Sequence, residues 1–167
     1  MPGNYAVNVG TVTALVGGEP WTSTDLEVTL VVDSDTLEVI QLGVIARRPD
    51  GTGGTLDRID FTFDNGDYTG PDTYSFTTAP PYILGMNYVP PGPGFTYQAL
   101  DGTVTVSEFS FVPTLADPDI AAGRLVGTFS FNGCTTWNVS GICGGSDSSI
   151  AVTSGTFEVC NFNLIRY

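Results

Sequence analysis

The sequence predicts an all-β fold, a single antiparallel β-barrel or β-sandwich of about ten short strands with little or no helix. Three observations predict it. Apolar residues alternate with polar ones along segment after segment, the period of a strand with one buried face. No segment carries the 3.6-residue apolar period of a long helix. Turn formers recur between the alternating runs, with 21 Gly and 11 Pro in 167 residues. That length suits one domain with a core of its own, spanning residues 1–167.

Tyr5 to Val16 reads as the first strand, with Val7 and Val9 in phase and Gly10 at a bulge. Gly17-Gly18-Glu19-Pro20 is a turn. Leu26, Val28, Leu30 and Val32 alternate with Glu27 and Thr29, and Leu37 to Ala46 follows as a strand. Arg47 to Thr55 reads as a Gly-rich loop. Ile59, Phe61 and Phe63 alternate with Asp60 and Thr62, and Asp64-Asn65-Gly66-Asp67 then carries the Asn-Gly hairpin signal. Thr73 to Thr77 is a short strand. The prolines from Pro80 to Pro93 bracket a long loop or two irregular edge strands. Thr103 to Phe111 alternates, with Val104 and Val106 on one side. Pro113 to Ala122 is a loop with one helical turn that Asp117 and Asp119 would cap. Arg124 to Phe131 points Leu125, Phe129 and Phe131 at the core, with Gly127 giving close approach or a bulge. Cys134 to Ile150 is a Gly/Ser-rich excursion, and Ser149 to Thr153 and Thr156 to Ile165 close the domain.

Composition removes several kinds of chemistry. The chain has no His, so the commonest general base and transition-metal ligand are absent. All five bases are Arg, so Schiff-base and P-loop lysine chemistry are absent too. Eighteen acids against five bases give a net charge of −13, which disfavours nucleic acid and anionic membrane surfaces as partners. Charged residues are 14% of the chain, against about 25% for an ordinary soluble domain, and Thr, Ser, Asn and Gly carry the polarity instead. No apolar run approaches the roughly 18 residues of a membrane span. Met1-Pro-Gly has neither the basic nor the apolar region of a signal peptide. The composition and cysteines point to an exported protein, extracellular, periplasmic or at the outer cell surface, its signal removed and a Met added; a cytosolic protein is the alternative.

Three cysteines are present. Cys134 and Cys143 flank a short segment at a spacing that permits a local hairpin disulfide, and Cys160 could instead pair with either. Three free thiols are the alternative. Structural zinc needs more ligands than three thiols without His supply.

Candidate sites fall into three groups. Asp64, Asp67 and Asp72, in an acidic run that includes Asp57 and Asp60, could converge on calcium, Ca2+ being the one cofactor considered; solvated turn carboxylates are the alternative. Asp33-Ser-Asp35 reads as an ordinary hairpin turn. Paired carboxylates raise glycosidase chemistry. Glu108 lies on the Val104/Val106 face and, facing inward, would be paired with Arg124 or functional; pairing, or a strand end reaching solvent, is the expectation. The third group is aromatic: Tyr82, Tyr88, Phe95 and Tyr97 lie among stiffening prolines, where flat amphipathic rings suit a sugar face or a protein partner. The same rings could plug a barrel end. Trp21 and Trp137 read as core or rim. Arg47 and Arg48, adjacent on a strand, point to opposite faces and read as paired surface charges. Asn138-Val-Ser140 matches a glycosylation acceptor and is assigned no role.

Several of these segments together carry a likeness. Gly18-Glu19-Pro20-Trp21-Thr22 after a first strand, Gly70-Pro-Asp-Thr-Tyr74, Asp101-Gly-Thr-Val-Thr-Val106, Leu125-Val-Gly-Thr-Phe-Ser-Phe131 and Val152-Thr-Ser-Gly-Thr-Phe157 resemble an exported or lipid-anchored β-domain family of Gram-negative bacteria whose function is unknown. The likeness spans roughly positions 8 to 160. It implies a small secreted or lipid-anchored β-barrel and supplies no catalytic residues. A lipobox cysteine near the start is missing, and the Cys134 to Cys143 excursion is not part of that pattern.

The functional expectation is a non-catalytic domain that binds a glycan or small apolar ligand through the Tyr82 to Tyr97 loop at a barrel mouth. The alternative is a structural subunit of an extracellular assembly that self-associates through strand edges, with Tyr5 to Val16 as the donated strand. A hydrolase built on carboxylates alone is a distant third.

Overall fold

A computed structural model describes residues 8–64, 68–76, 84–92, 95–115, 117–135 and 148–167. Its strands are β1 (Val9–Val16), β2 (Glu19–Ser23), β3 (Asp25–Val32), β4 (Val39–Pro49), β5 (Thr55–Phe63), β6 (Thr73–Ser75), β7 (Leu84–Val89), β8 (Tyr97–Pro113), β9 (Ile120–Cys134) and β10 (Ser149–Arg166). No helix occurs among the described residues. Seven strands close a barrel in the order β3-β4-β5-β7-β8-β9-β10, and β10 returns to β3 through a parallel pairing. The β1–β2 hairpin and β6 are added outside that ring.

The alternating patterns put one face of each strand inside. Phe61, Phe63, Phe129, Phe157, Phe162, Leu30 and Leu42 fill the interior, as side chains do in a barrel of this strand number. The ring centroids of Phe61 and Phe157 lie 5.2 Å apart, and those of Phe61 and Phe129 5.9 Å. Outside, register aligns one threonine from each of six strands into a single rank, Thr22, Thr13, Thr156, Thr128, Thr105 and Thr73. Hydroxyls bond across it at 2.7 Å between Thr13 and Thr156 and at 2.9 Å between Thr73 and Thr105. Threonine suits such a rank: a β-branched side chain fits the pleat, and its hydroxyl faces water.

The strand assignments differ from the expectation at several places. Glu19 and Pro20 belong to β2; the turn is Gly17-Gly18 alone, with φ of 58° and 86° that glycine adopts without steric cost. β4 runs on through Arg47 and Arg48 to Pro49. β7 lies in the proline-bracketed region, and it is an internal strand between β5 and β8 rather than an edge. The chain around Asp117 makes no helix; the Asp117 carboxylate accepts the Asp119 amide at 3.0 Å in a side-chain-capped turn. Ser149 to Ile165 is one strand, bent where Ser154 and Asn161 take positive φ at register shifts.

The bend at Asn161 places β1 and β3 end to end along the same edge of β10. Asn8 fills the join. Its side-chain carbonyl accepts the Val28 amide at 3.1 Å, and its side-chain amide donates to the Asn161 carbonyl at 2.9 Å. A side-chain amide thus substitutes for a peptide group where the two strands part.

Candidate functional site

β4 crosses the barrel from Val39 to Arg48, roughly 30 Å at strand rise, and the two ends differ in chemistry. At the Arg48 end sits Asp57, 1% exposed. Its carboxylate accepts Arg48 Nε at 2.6 Å, a second Arg48 bond through Nη2, Trp21 Nε1 at 3.1 Å and the Tyr88 hydroxyl at 3.1 Å. The guanidinium also lies over the Trp21 ring, 5.6 Å from its centroid. Burial, then the Asp57 charge, pushes the Tyr88 hydroxyl up to about 12, so it stays a donor at neutral pH. All four acceptor directions of this carboxylate are used, which makes it a fastening and leaves no lone pair for general-base work.

Asp57 and Arg48 therefore correct two expectations. Asp57 is no solvated member of the acidic run, and Arg48, a third exposed, is turned inward to pair with it. The signal was present in the sequence: Asp57 is in phase with Ile59, Phe61 and Phe63, and Arg48 with Ala46, Val44 and Leu42. Two inward-phase charges of opposite sign were there to be paired, and strand register sets them opposite each other. Arg47 points outward, as expected of its neighbour, and pairs with Glu27.

The predicted aromatic residues lead away from this cluster. Tyr88 is buried. Its ring stacks on Tyr97 at 6.0 Å between centroids, and Tyr97 meets Phe95 edge-on at 5.6 Å. Phe95 is 51% exposed. It lines a cleft of about 510 Å³ with Val89, Gly92, Thr96, Gln98 and Thr135. Three of the four predicted rings thus form one ladder from a buried ion pair to a solvent-facing rim, and only the outer ring is available to a ligand. Tyr82 lies outside the described residues.

At the opposite mouth a cleft of about 530 Å³ is lined by Glu38, Val39, Tyr68, Thr69, Gly70 and Phe109. Tyr68 packs against Phe63, Tyr74 and Phe109 at centroid distances of 5.4, 5.6 and 5.0 Å. The Thr69 amide donates to the Tyr74 hydroxyl at 3.2 Å, and that hydroxyl donates to the Gly70 carbonyl. Tyr68 stood out by no pattern in the sequence, since it follows a turn and belongs to no alternating run.

The other predicted residues are dispersed. Asp64 follows β5 and accepts a hydrogen bond from Gln41; Asp72 precedes β6 and accepts the Thr73 amide at 2.7 Å. Asp67 lies outside the described residues, among which no three His, Cys, Asp or Glu side chains group as metal ligands would. Glu108 pairs with Arg124 at 2.6 Å, as expected, but outside the barrel: a bulge between Val106 and Glu108 switches the inward phase to Phe109. Arg124 also reaches Glu158 at 2.8 Å. Asp33 accepts the Asp35 and Thr36 amides in the β3–β4 turn, as its sequence suggested. Trp21 is core; Trp137 and Cys143 lie outside the described residues. Cys160 is a half-buried free thiol, whereas Cys134, fully buried, is not a free thiol. Of the Tyr5 to Val16 strand expected to be donated, the described part pairs with β10 from Val9 and also with β2 from Val12, so Val12 to Val16 is already used on both sides within the chain.

No protein-family model, curated protein or solved structure matches this chain.

Proposed function

We propose that the protein is a non-catalytic binding domain, exported from the cytoplasm, that takes a neutral saccharide at the Phe95 cleft. The observation that carries this reading is the ring ladder. Tyr88 is anchored on Asp57, Tyr97 stacks on Tyr88, and Phe95 is held edge-on at the rim. A ring held that way presents an apolar face at little cost in side-chain entropy, and the axial C–H groups of a sugar ring suit such a face. Thr96, Gln98 and Thr135 beside it offer hydroxyl and amide partners for sugar hydroxyls. Among the described residues the cleft lining contains no charged side chain, which favours a neutral ligand over an ionic one.

A glycan array followed by calorimetry on the best neutral saccharide tests this. Phe95→Ala should weaken that saccharide about tenfold, the upper end of what one aromatic contact contributes. Because Phe95 is half exposed, the variant should melt close to the wild type. Unchanged affinity in Phe95→Ala, or silence of every neutral glycan, sinks the reading.

Export is supported by the charge-poor, threonine-rich composition and by the state of Cys134. We infer that Cys134 pairs with Cys143, since Cys160 is free and three cysteines are present. Alkylation of unreduced protein should label Cys160 alone, and reduction should open two further sites. Labelling of Cys134 or Cys143 without reduction contradicts the pairing.

A further inference from the structure

β8 pairs with β9 from Gln98 to Pro113, but its other edge is covered only in part. That edge pairs with β7 at Tyr97 and Gln98 and with β6 from Thr103 to Thr105. The Val106 amide then donates to the Asp72 carbonyl at 2.8 Å. Beyond Val106 the edge has no backbone partner among the described residues. A methyl built on Gly123 of β9 would meet the Ser110 carbonyl oxygen at 2.1 Å, so that carbonyl faces β9. The Thr114 amide faces β9 too, donating to the Ile120 carbonyl at 3.0 Å. Peptide groups alternate in direction along a strand, so Phe109 and Phe111 turn their N–H and C=O groups away from β9. Groups left in this way are a template for another strand.

The side chains along this edge are incompletely covered as well. Phe109 and Phe111 are in the inward phase and pack against the core, yet both are only half-buried. Phe109 forms part of the wall of the roughly 530 Å³ cleft, with Val39 and Glu38. On the outer face Val112 is 68% exposed, and Leu115, just past the strand, is fully exposed. Lysine and proline commonly blunt such an edge, and residues 108–112 contain neither. Glu38 in the cleft wall and a net charge of −13 disfavour an acidic partner, and a second copy of the chain with it.

We propose that this edge of β8 accepts an extended peptide from a partner protein as an added strand, a segment apolar at alternate positions and without net negative charge. Main-chain bonds to Phe109 and Phe111 supply the affinity, and the alternation supplies the specificity. Peptide side chains in phase with Phe109 and Phe111 lie against those rings and the cleft; those in phase with Ser110 and Val112 lie outside. Tyr97 and the Phe95 cleft are at the other end of β8. The site therefore stands or falls independently of saccharide binding.

The test is amide hydrogen exchange, read by NMR on the full chain. The probe is a peptide of alternating valine and threonine, as long as the open edge, with a lysine at each end and both termini blocked. In the free protein the Ser110 and Val112 amides should be protected by β9, and those of Phe109 and Phe111 should exchange freely. Peptide at about ten times its Kd should slow exchange at Phe109 and Phe111 about tenfold, since only the unbound fraction exchanges. Ser110 and Val112 should change little. N-methylation of the peptide's amide nitrogens keeps its side chains and should abolish binding. Glutamate in place of the end lysines should weaken it. Protection of Phe109 and Phe111 in the free protein overturns the proposal, and protection that grows with protein concentration assigns the edge to a second copy instead. Failure of the lysine-ended peptide to bind, or binding that leaves those two amides unprotected, overturns it equally. So does undiminished binding of the N-methylated peptide, or tighter binding of the glutamate-ended one.

Discussion

Asp57→Ala is expected to destabilise the domain by about 3–5 kcal/mol, as removal of one partner of a buried ion pair does. The carboxylate is the common acceptor of Arg48, Trp21 and Tyr88. Without it, two buried donors, the indole N–H and the phenol, lose their partner together, at about 1–3 kcal/mol each. Arg48 is a third exposed and can turn its guanidinium to water, which holds the total to the lower part of the range. The double variant Asp57→Leu with Arg48→Met should recover part of the loss, because an apolar replacement leaves no charge unpaired. Urea unfolding reads both. A cost below 1 kcal/mol for Asp57→Ala would show that the cluster does not fasten this end of the barrel. Saccharide affinity supplies a second readout, since the Tyr88 base of the ring ladder rests on the same carboxylate.

Gly127→Ala is expected to cost about 3 kcal/mol, at the upper end of the usual penalty for overpacking. A methyl group there would lie 2.1 Å from the Thr105 carbonyl oxygen and 2.4 Å from Phe157 Cζ. The first of these is backbone in the β8–β9 ladder and cannot yield without breaking pairing. The second belongs to a fully buried ring at the centre of the aromatic core. Gly43→Ala is the matched control. Its added methyl would meet nothing closer than 3.7 Å, at Thr62 Oγ1, so the smaller chain entropy of alanine should leave it neutral or more stable by about 0.5–1 kcal/mol. Equal effects of the two substitutions would refute the steric argument.

The alternating segments were legible because a strand with one buried face writes its period into the sequence. Val28, Leu30 and Val32, and then Ile59, Phe61 and Phe63, point inward as that period requires. The close approach at Gly127 was legible for the same reason: a glycine at an inward position is where another side chain can come in. Glu108 was misplaced because a bulge adds one residue and inverts the phase after it, and nothing in a local window marks where the extra residue falls. Tyr88 was read as one of the ligand-binding rings, but it is buried, and its hydroxyl is held by Asp57, 31 residues away in the chain.

By itself, then, the sequence determined the all-β class, the inward face of most strands and the chemistry that a chain without His or Lys cannot perform. Local spacing carries that information, because each strand buries its apolar face whatever its neighbours are. Tertiary structure alone decided that seven strands close into a ring, that Arg48 meets Asp57, that six strands align their threonines, and that, among the described residues, the Tyr68 hydroxyl is buried without a hydrogen-bond partner. Those are properties of register and of contact between residues far apart in the chain. They are set by how the barrel closes, and no single segment encodes that closure.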